Sequence, residues 1–306
     1  MPLDRFCVSD GKSTRMAAKH DQTERREGHF EGHGGLELFY QTWAAAGSSR
    51  GTLVITHGIS EHSEAYNHTA MSLASSGWSV CAWDLRGHGR SDGKRGYVRD
   101  FHDYALDLGF LLRFLKANGK IEGALALIGH SMGGLVTLRH LIDEEAQSPL
   151  PTALVLSSPL LGVALEVPAV KDLAARVLNR FAPSVTLFNE IHYEDLTRDT
   201  EMLKSYEIDP LRHDKISSGV YLGMMENMEL VKQNASRLRL PTLIQAAGKE
   251  KIVSLPAIQE FFPKLGSIDK KLIVYEESYH EIYNDLDREK VLKDLNAFLD
   301  KTMGQK

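Results

Sequence analysis

Ala124-Leu125-Ala126-Leu127-Ile128 runs straight into Gly129-His130-Ser131-Met132-Gly133-Gly134. A short aliphatic run reads as a buried strand, and Leu135, Val136, Leu138, Leu141 and Ile142 then recur at helical spacing. Strand, Gly-x-Ser-x-Gly and helix in that order form a nucleophile elbow, a sharp turn that presents a serine at a strand end. Glycines on either side of Ser131 lack the Cβ atoms that would keep backbone and helix apart. Taken alone, the pentapeptide can also be a simple turn. With strand and helix in register, Ser131 reads as a nucleophile.

A serine hydroxyl is weakly nucleophilic at neutral pH and needs a base, which in turn needs an orienting acid. In this architecture they follow in the order serine, carboxylate, histidine. Lys271-Leu272-Ile273-Val274-Tyr275 is a compact strand signal, and the loop after it carries Ser278-Tyr279-His280-Glu281. Of the chain's 13 histidines, His280 alone has the position required of the base. The preceding strand signal, Thr242-Leu243-Ile244-Gln245-Ala246, leads into Ala247-Gly248-Lys249-Glu250-Lys251-Ile252-Val253, where Glu250 is the single acid. Glu276, Glu277 and Asp285, beside His280, are the competing carboxylates. Glutamate is one methylene longer than aspartate, so its loop has to set the Cα farther back. The triad expected is Ser131, Glu250 and His280.

Tetrahedral intermediates also need oxyanion donors, which this architecture draws from the backbone N–H after the nucleophile and from a loop after an early strand. Met132 supplies the first. Leu53-Val54-Ile55-Thr56 followed by His57-Gly58-Ile59-Ser60-Glu61-His62 supplies the second, with Ile59 the expected donor and Gly58 letting the chain turn.

The sequence resembles the monoacylglycerol lipase and lysophospholipase branch of the α/β-hydrolases, also grouped with serine aminopeptidase-like hydrolases. The matching pieces are residues 57–63, Asp84-Leu85-Arg86-Gly87-His88-Gly89-Arg90-Ser91-Asp92-Gly93, the elbow, Ser157-Ser158-Pro159 and Tyr279-His280. Together they cover the chain from about residue 28 to its C-terminus. The resemblance implies an ester hydrolase acting on single-chain lipids, monoacylglycerol first and lysophospholipid or a broader ester range second. It also implies that Glu61 helps organise the substrate pocket. Two positions depart from the family pattern: aspartate is usual where Glu250 stands, and arginine is common where Ala65 precedes Tyr66. A slow-turnover receptor that retains the hydrolase site is the alternative of a different class.

Composition agrees with this reading. The 306 residues are 42% hydrophobic and 25% charged, with a formal net charge of −5, so no basic field attracts nucleic acid. No apolar run has the length of a membrane span. Two cysteines, Cys7 and Cys81, do not make a disulfide framework. No cofactor is expected, and the histidines near Ser60 and Gly87 lack the spacing of a metal-ligand set. The cytoplasm is the expected compartment, with peripheral membrane contact as an addition to it; the oligomeric state is left open.

The fold expected is α/β: an α/β-hydrolase with a mostly parallel central sheet, helices on both faces and an inserted helical cap. Residues 1–27 read as a polar, flexible extension and residues 28–306 as the hydrolase domain. Strand–helix alternation lapses between Pro159 and Ser218, placing the cap at about 160–218. Leu160, Leu161, Leu165, Val167, Val170, Leu173, Val177, Leu178 and Phe181 make this stretch greasy, which suits an acyl chain. A tunnel lined by such residues would gain about 0.8 kcal/mol per buried substrate methylene. The cap carries Arg176, Arg180 and Arg198 as well as Glu190, Glu194 and Asp195, so its composition does not choose a head group. A cap can touch a membrane transiently through a few apolar side chains, although no segment reads as compellingly amphipathic.

Overall fold

A computed structural model describes residues 24–143, 149–164 and 169–304. The chain opens with an antiparallel pair, β1 (Arg25–Glu31) and β2 (Glu37–Trp43). Then follow β3 (Thr52–Thr56), α1 (Asn67–Ser75), β4 (Ser79–Trp83), α2 (His102–Ala117), β5 (Leu125–His130), α3 (Met132–Asp143) and β6 (Ala153–Ser157). Between β6 and the next strand of the main sheet lie α4 (Ala169–Phe181), β7 (Thr186–Phe188), α5 (Thr200–Ile208), β8 (Lys215–Ser217) and α6 (Ser218–Gln233). β9 (Thr242–Ala247), α7 (Leu255–Phe261), β10 (Lys270–Tyr275) and α8 (Arg288–Met303) complete the order.

The main sheet has eight strands in the order β1-β2-β4-β3-β5-β6-β9-β10, parallel from β4 to β10. Its strands are apolar on both faces because both faces are covered by helices. Val54, Leu127, Leu154 and Ile244 point to the core shared with α2, α3, α6 and α7. Their neighbours Ile55, Ile128, Val155 and Leu243 point to the core shared with α1 and α8. The strand order reverses at β3, which has β4 on one side and β5 on the other. A crevice opens at the carboxyl ends of the strands at such a reversal, and the loops after β3 and β5 are those carrying Gly58 and Ser131.

Two expectations are corrected. The boundary of the polar extension moves back from residue 27, because Arg25-Arg26-Glu27 already belong to β1, paired with Trp43, Thr42 and Gln41. An edge strand tolerates such polar residues, and Arg25 stacks on Trp43 at 5.4 Å while bonding Glu64. Met1 to Thr23, with Cys7, lie outside the described residues; Cys81 is a buried free thiol.

The second correction concerns the greasy stretch. Leu160 and Leu161 are buried in the main core, and Leu165 and Val167 lie outside the described residues. Val170, Leu173, Val177 and Phe181 instead face solvent from α4, with Leu173 63% and Phe181 78% exposed. Their spacing puts them on one side of the helix, so α4 is amphipathic with its apolar side turned outward. No helix among the described residues is long and apolar enough to cross a membrane.

Candidate active site

The elbow is built by close approach. A Cβ on Gly129 would lie 2.7 Å from both the Gly133 carbonyl oxygen and the Gly134 Cα, and one on Gly133 would collide with the backbone of Thr56 and His57. Between these glycines Ser131 takes a φ of +52°, a left-handed conformation that costs a non-glycine residue and persists where surrounding bonds enforce it. Here they do: Ser131 N–H donates to the Ser157 carbonyl at 3.0 Å, and the Ser131 carbonyl accepts from Leu160 and Gly134 N–H at 3.0 Å each.

His280 and Glu250 are brought together by the loops after β10 and β9. The Glu250 Oε2 atom accepts from His280 Nδ1–H at 2.8 Å, which fixes the tautomer and leaves Nε2 free to take a proton. Glu250 Oε1 accepts three backbone N–H groups, from Lys251, Ile252 and Val253, at 3.0, 2.9 and 3.2 Å. The chain therefore wraps around the carboxylate and fixes it. Burial alone would raise the Glu250 pKa, but His280 and the N–H groups of Ile252 and Val253 outweigh it and hold the carboxyl below its ordinary value. Burial would likewise lower His280, and the Glu250 charge and hydrogen bond raise it instead.

The loop after β3 is anchored on both sides of Gly58. His57 Nδ1–H donates to the Gly58 carbonyl at 2.7 Å, while His57 Nε2 accepts from Leu85 N–H at 3.0 Å. In a trans peptide the carbonyl and the following N–H point opposite ways, so tying down the Gly58 carbonyl orients the Ile59 N–H away from His57. Glu61 Oε1 accepts from Gly58 N–H and from Tyr66 Oη–H. Gly58, Ile59, Glu61, Ser131 and His280 line one cavity of about 290 Å³. Met132, fully buried, is the first residue of α3.

Asp84 supports these loops by accepting from the N–H groups of Ser63 and Arg90 at 2.7 Å each. Arg86 grips Asp107 through Nε and Nη2, at 2.6 and 2.7 Å, and also bonds Asp103. The residue run from Asp84 to Gly93 is thus a brace beneath the site.

Arg212 and His213, which line the cavity, had no signal in the sequence. Arg212, from the segment between α5 and β8, pairs with Glu281 through both terminal nitrogens at 3.1–3.2 Å and lies 3.6 Å over the Tyr206 ring. Tyr206 Oη–H and Asn284 Nδ2–H donate to the same carboxylate at 2.5 and 2.9 Å. Burial would raise Glu281, but Arg212 pulls it down to about 2. Glu61 goes the other way: burial and the neighbouring Glu281 charge push it up to about 8. His130 and His213 also line the cavity, and burial, reinforced by His280 and Arg95 respectively, lowers them to about 3 and about 4. Both are neutral at physiological pH. Arg212 and Glu281 are 69 residues apart, so their pairing is invisible to local pattern. The single available hint was an acid immediately after His280.

The expected tunnel is not formed by the apolar face of α4. The cavity's apolar wall comes from Ile59, Ile191, Leu196 and Ile252.

Comparison with known proteins agrees with the architecture. Residues 47–287 match the family model described as serine aminopeptidase, S33. The chain is 30% identical over 276 residues to the monoacylglycerol lipase of Mycolicibacterium smegmatis, covering 90% of this chain and 97% of that protein. It is 31% identical over 249 residues to the phospholipase YtpA of Bacillus subtilis, covering 81% and 94%. The crystal structure of the Paleococcus ferrophilus monoacylglycerol lipase superposes with a TM-score of 0.78 at 28% identity, over 87% of this chain and 99% of that one.

Proposed function

The chain belongs to the serine aminopeptidase S33 family of serine hydrolases, in the monoacylglycerol lipase and lysophospholipase branch of the α/β-hydrolases, and from that premise we propose that it hydrolyses monoacylglycerol to fatty acid and glycerol. His280 Nε2 takes the proton from Ser131 Oγ as the oxygen attacks the ester carbonyl, and Glu250 stabilises the imidazolium. Backbone N–H groups of Ile59 and Met132 receive the developing oxyanion, each contributing about 3–4 kcal/mol to the transition state. His280 then protonates the departing alcohol. Water repeats the sequence on the acyl-Ser131 ester and releases the acid.

The observation that carries the choice of head group is the charge of the cavity wall. Glu194, Asp214 and Glu281 line it, with Glu61 held largely protonated, against one arginine, Arg212, among the described residues. That arginine is already paired with Glu281, and His130 and His213 are held neutral. An anionic phosphodiester would meet the Glu194 and Asp214 carboxylates with no unpaired arginine or lysine among the lining residues. A neutral polyol meets hydrogen-bonding groups and no repulsion.

The outward face of α4 fits a lipid surface as the place where substrate is collected. Val170, Leu173, Val177 and Phe181 are exposed on it, with Arg176 and Arg180 on the same helix, and Leu187 and Phe188 of β7 are exposed as well. An apolar face with basic residues around it suits the headgroup–acyl boundary. Asn189 and Ile191, directly after β7, line the cavity.

Fatty-acid release from 1-lauroylglycerol and from lauroyl lysophosphatidylcholine, with Ser131→Ala as blank, tests the proposal. Preference for the monoglyceride is expected. Preference for the lysophospholipid would make the protein a lysophospholipase. Cleavage of a short aryl ester alone would remove the lipid reading and leave the triad.

A further inference from the structure

Three buried ionisable side chains line the cavity together: Glu61, Arg212 and Glu281. Glu281 is saturated, with Arg212, Tyr206 and Asn284 all bonding its carboxylate. The other two each keep one polar atom unused. Arg212 Nε and Glu61 Oε2 are buried and have no partner among the described residues. Burying an unpaired donor or acceptor costs free energy that a satisfied one does not. An ion pair of this kind is often replaceable by apolar residues at no loss of stability, so stability alone does not account for it. Arg212 is also unusually rigid, its Nη1 and Nη2 atoms fixed by Glu281 and its plane close over Tyr206. A second cavity of about 280 Å³ lies on Arg212 as well, lined by Ala65, Tyr206 and Asp209 among others. The guanidinium is therefore a partition between two spaces, reached from the cap where the loop after β3 has only Ala65.

We propose that Arg212, held in place by Glu281, is the residue that selects the polyol head of the substrate: Arg212 Nε–H donates to one hydroxyl of 1-monoacylglycerol while Glu61 Oε2 bonds the adjacent one. The inference deepens the monoacylglycerol reading and rests on it. Two polar groups fixed in one wall, a guanidinium N–H and a carboxyl oxygen, match a vicinal diol and have nothing to offer an ester of a simple alcohol.

The test is the ratio of kcat/KM on 1-lauroylglycerol to kcat/KM on methyl laurate, which share an acyl chain and differ in the diol. Arg212→Lys keeps a cation opposite Glu281 and removes the donor at the Nε position. The ratio is expected to fall about tenfold or more, mainly through KM for the glyceride, as for loss of a hydrogen bond from a charged donor. A ratio within twofold of the parent protein overturns the proposal, because a merely structural arginine would change both substrates together. Arg212→Met combined with Glu281→Gln leaves no buried charge unpaired and guards against misfolding. The same fall is expected of it, and an unchanged ratio again refutes the assignment. Failure of the parent protein on 1-lauroylglycerol with methyl laurate still cleaved is a separate result, sinking the monoacylglycerol reading itself.

Discussion

At the scale of single residues, the site turns on how Glu250 is held. Its Oε1 accepts three backbone N–H groups and its Oε2 holds His280, so the carboxylate is fixed before substrate arrives. Glu250→Gln is expected to lower kcat by about three to four orders of magnitude, through loss of the tautomer and of imidazolium stabilisation. The pH profile gives an independent readout. His280 acts as base only when neutral, and Glu250 raises its pKa above the ordinary 6.5, so activity should fall on acidification with an inflection above that value. In the glutamine variant the burial that lowers His280 goes unopposed by Glu250, and the inflection should move to lower pH. An unmoved inflection would place the orienting acid elsewhere. Ser131→Ala should cost about 10⁶ in kcat, measured with a chromogenic ester; full retention would end the nucleophile assignment. Glu61 makes a stability prediction of the opposite kind. Its pKa is about 8 in the folded chain against 4.5 as the reference, so between these values the folded state binds the extra proton and stability declines as pH rises. Glu61→Gln should remove that decline and raise Tm at pH 9 by about 5 °C, while monoglyceride turnover falls. Equal Tm for both proteins at pH 9 would contradict it. Of these residues, Glu250 was legible because a strand end limits the candidates to one loop. Arg212 was not, because its partner lies across the fold, and burial is what gives a surface-type residue its role.

At the scale of elements, legibility followed burial. β3, β5, β6 and β9 are buried over their whole length and stand out in the sequence as aliphatic runs. β1 has Phe30 as its single buried residue, so its Arg-Arg-Glu-Gly-His start resembles a tail. α7 is only seven residues long, its first turn containing Pro256 and capped by Ser254, which accepts from Ala257 N–H at 3.2 Å. The case of α4 is different. Hydrophobicity gives no direction, so in the sequence its apolar residues suit a substrate lining, whereas the helix turns them outward. If that face meets lipid, Leu173→Glu with Phe181→Glu should weaken sedimentation with phosphatidylcholine–phosphatidylglycerol vesicles about tenfold or more. Two exposed apolar side chains, each contributing about 1.5–3 kcal/mol when fully buried, are enough for that change. Hydrolysis of a short water-soluble ester, which needs no lipid surface, should be retained. Vesicle binding equal to that of the parent protein would rule the helix out as the docking face.

At the scale of the whole molecule, the cap and the loop carrying His280 are fastened to each other. Arg198, on the cap side, bonds Asp285 at 2.9 Å and Asp287 at 2.7 Å, and its own N–H donates to Asp285 at 2.8 Å. Arg288 reaches back to Asp199 at 2.6 Å, Lys251 to Asp195 at 2.7 Å, and Glu281 N–H donates to the Leu196 carbonyl at 2.8 Å. The loop holding His280 therefore takes its position from the cap as well as from β10. Asp285 is fully buried and also accepts from Tyr279 N–H at 2.8 Å, which ties the same carboxylate to the residue before His280. Arg198→Ala would leave this carboxylate short of its cation. Arg198 is partly exposed, so the loss is smaller than for a wholly buried pair, about 2 kcal/mol, or about 5 °C in Tm. Because the disturbance passes to the His280 loop, kcat should fall about tenfold with little change in KM. Hydrogen exchange separates this from general loosening: amides of residues 278–288 should exchange faster while those of β3 and β5 keep their protection. Removing Asp285 as well, in Arg198→Ala with Asp285→Asn, should recover part of the stability, since no buried charge remains unpaired. Unchanged exchange in the His280 loop, whatever happens to Tm, would mean that the sheet alone positions the histidine and that the cap is only a cover.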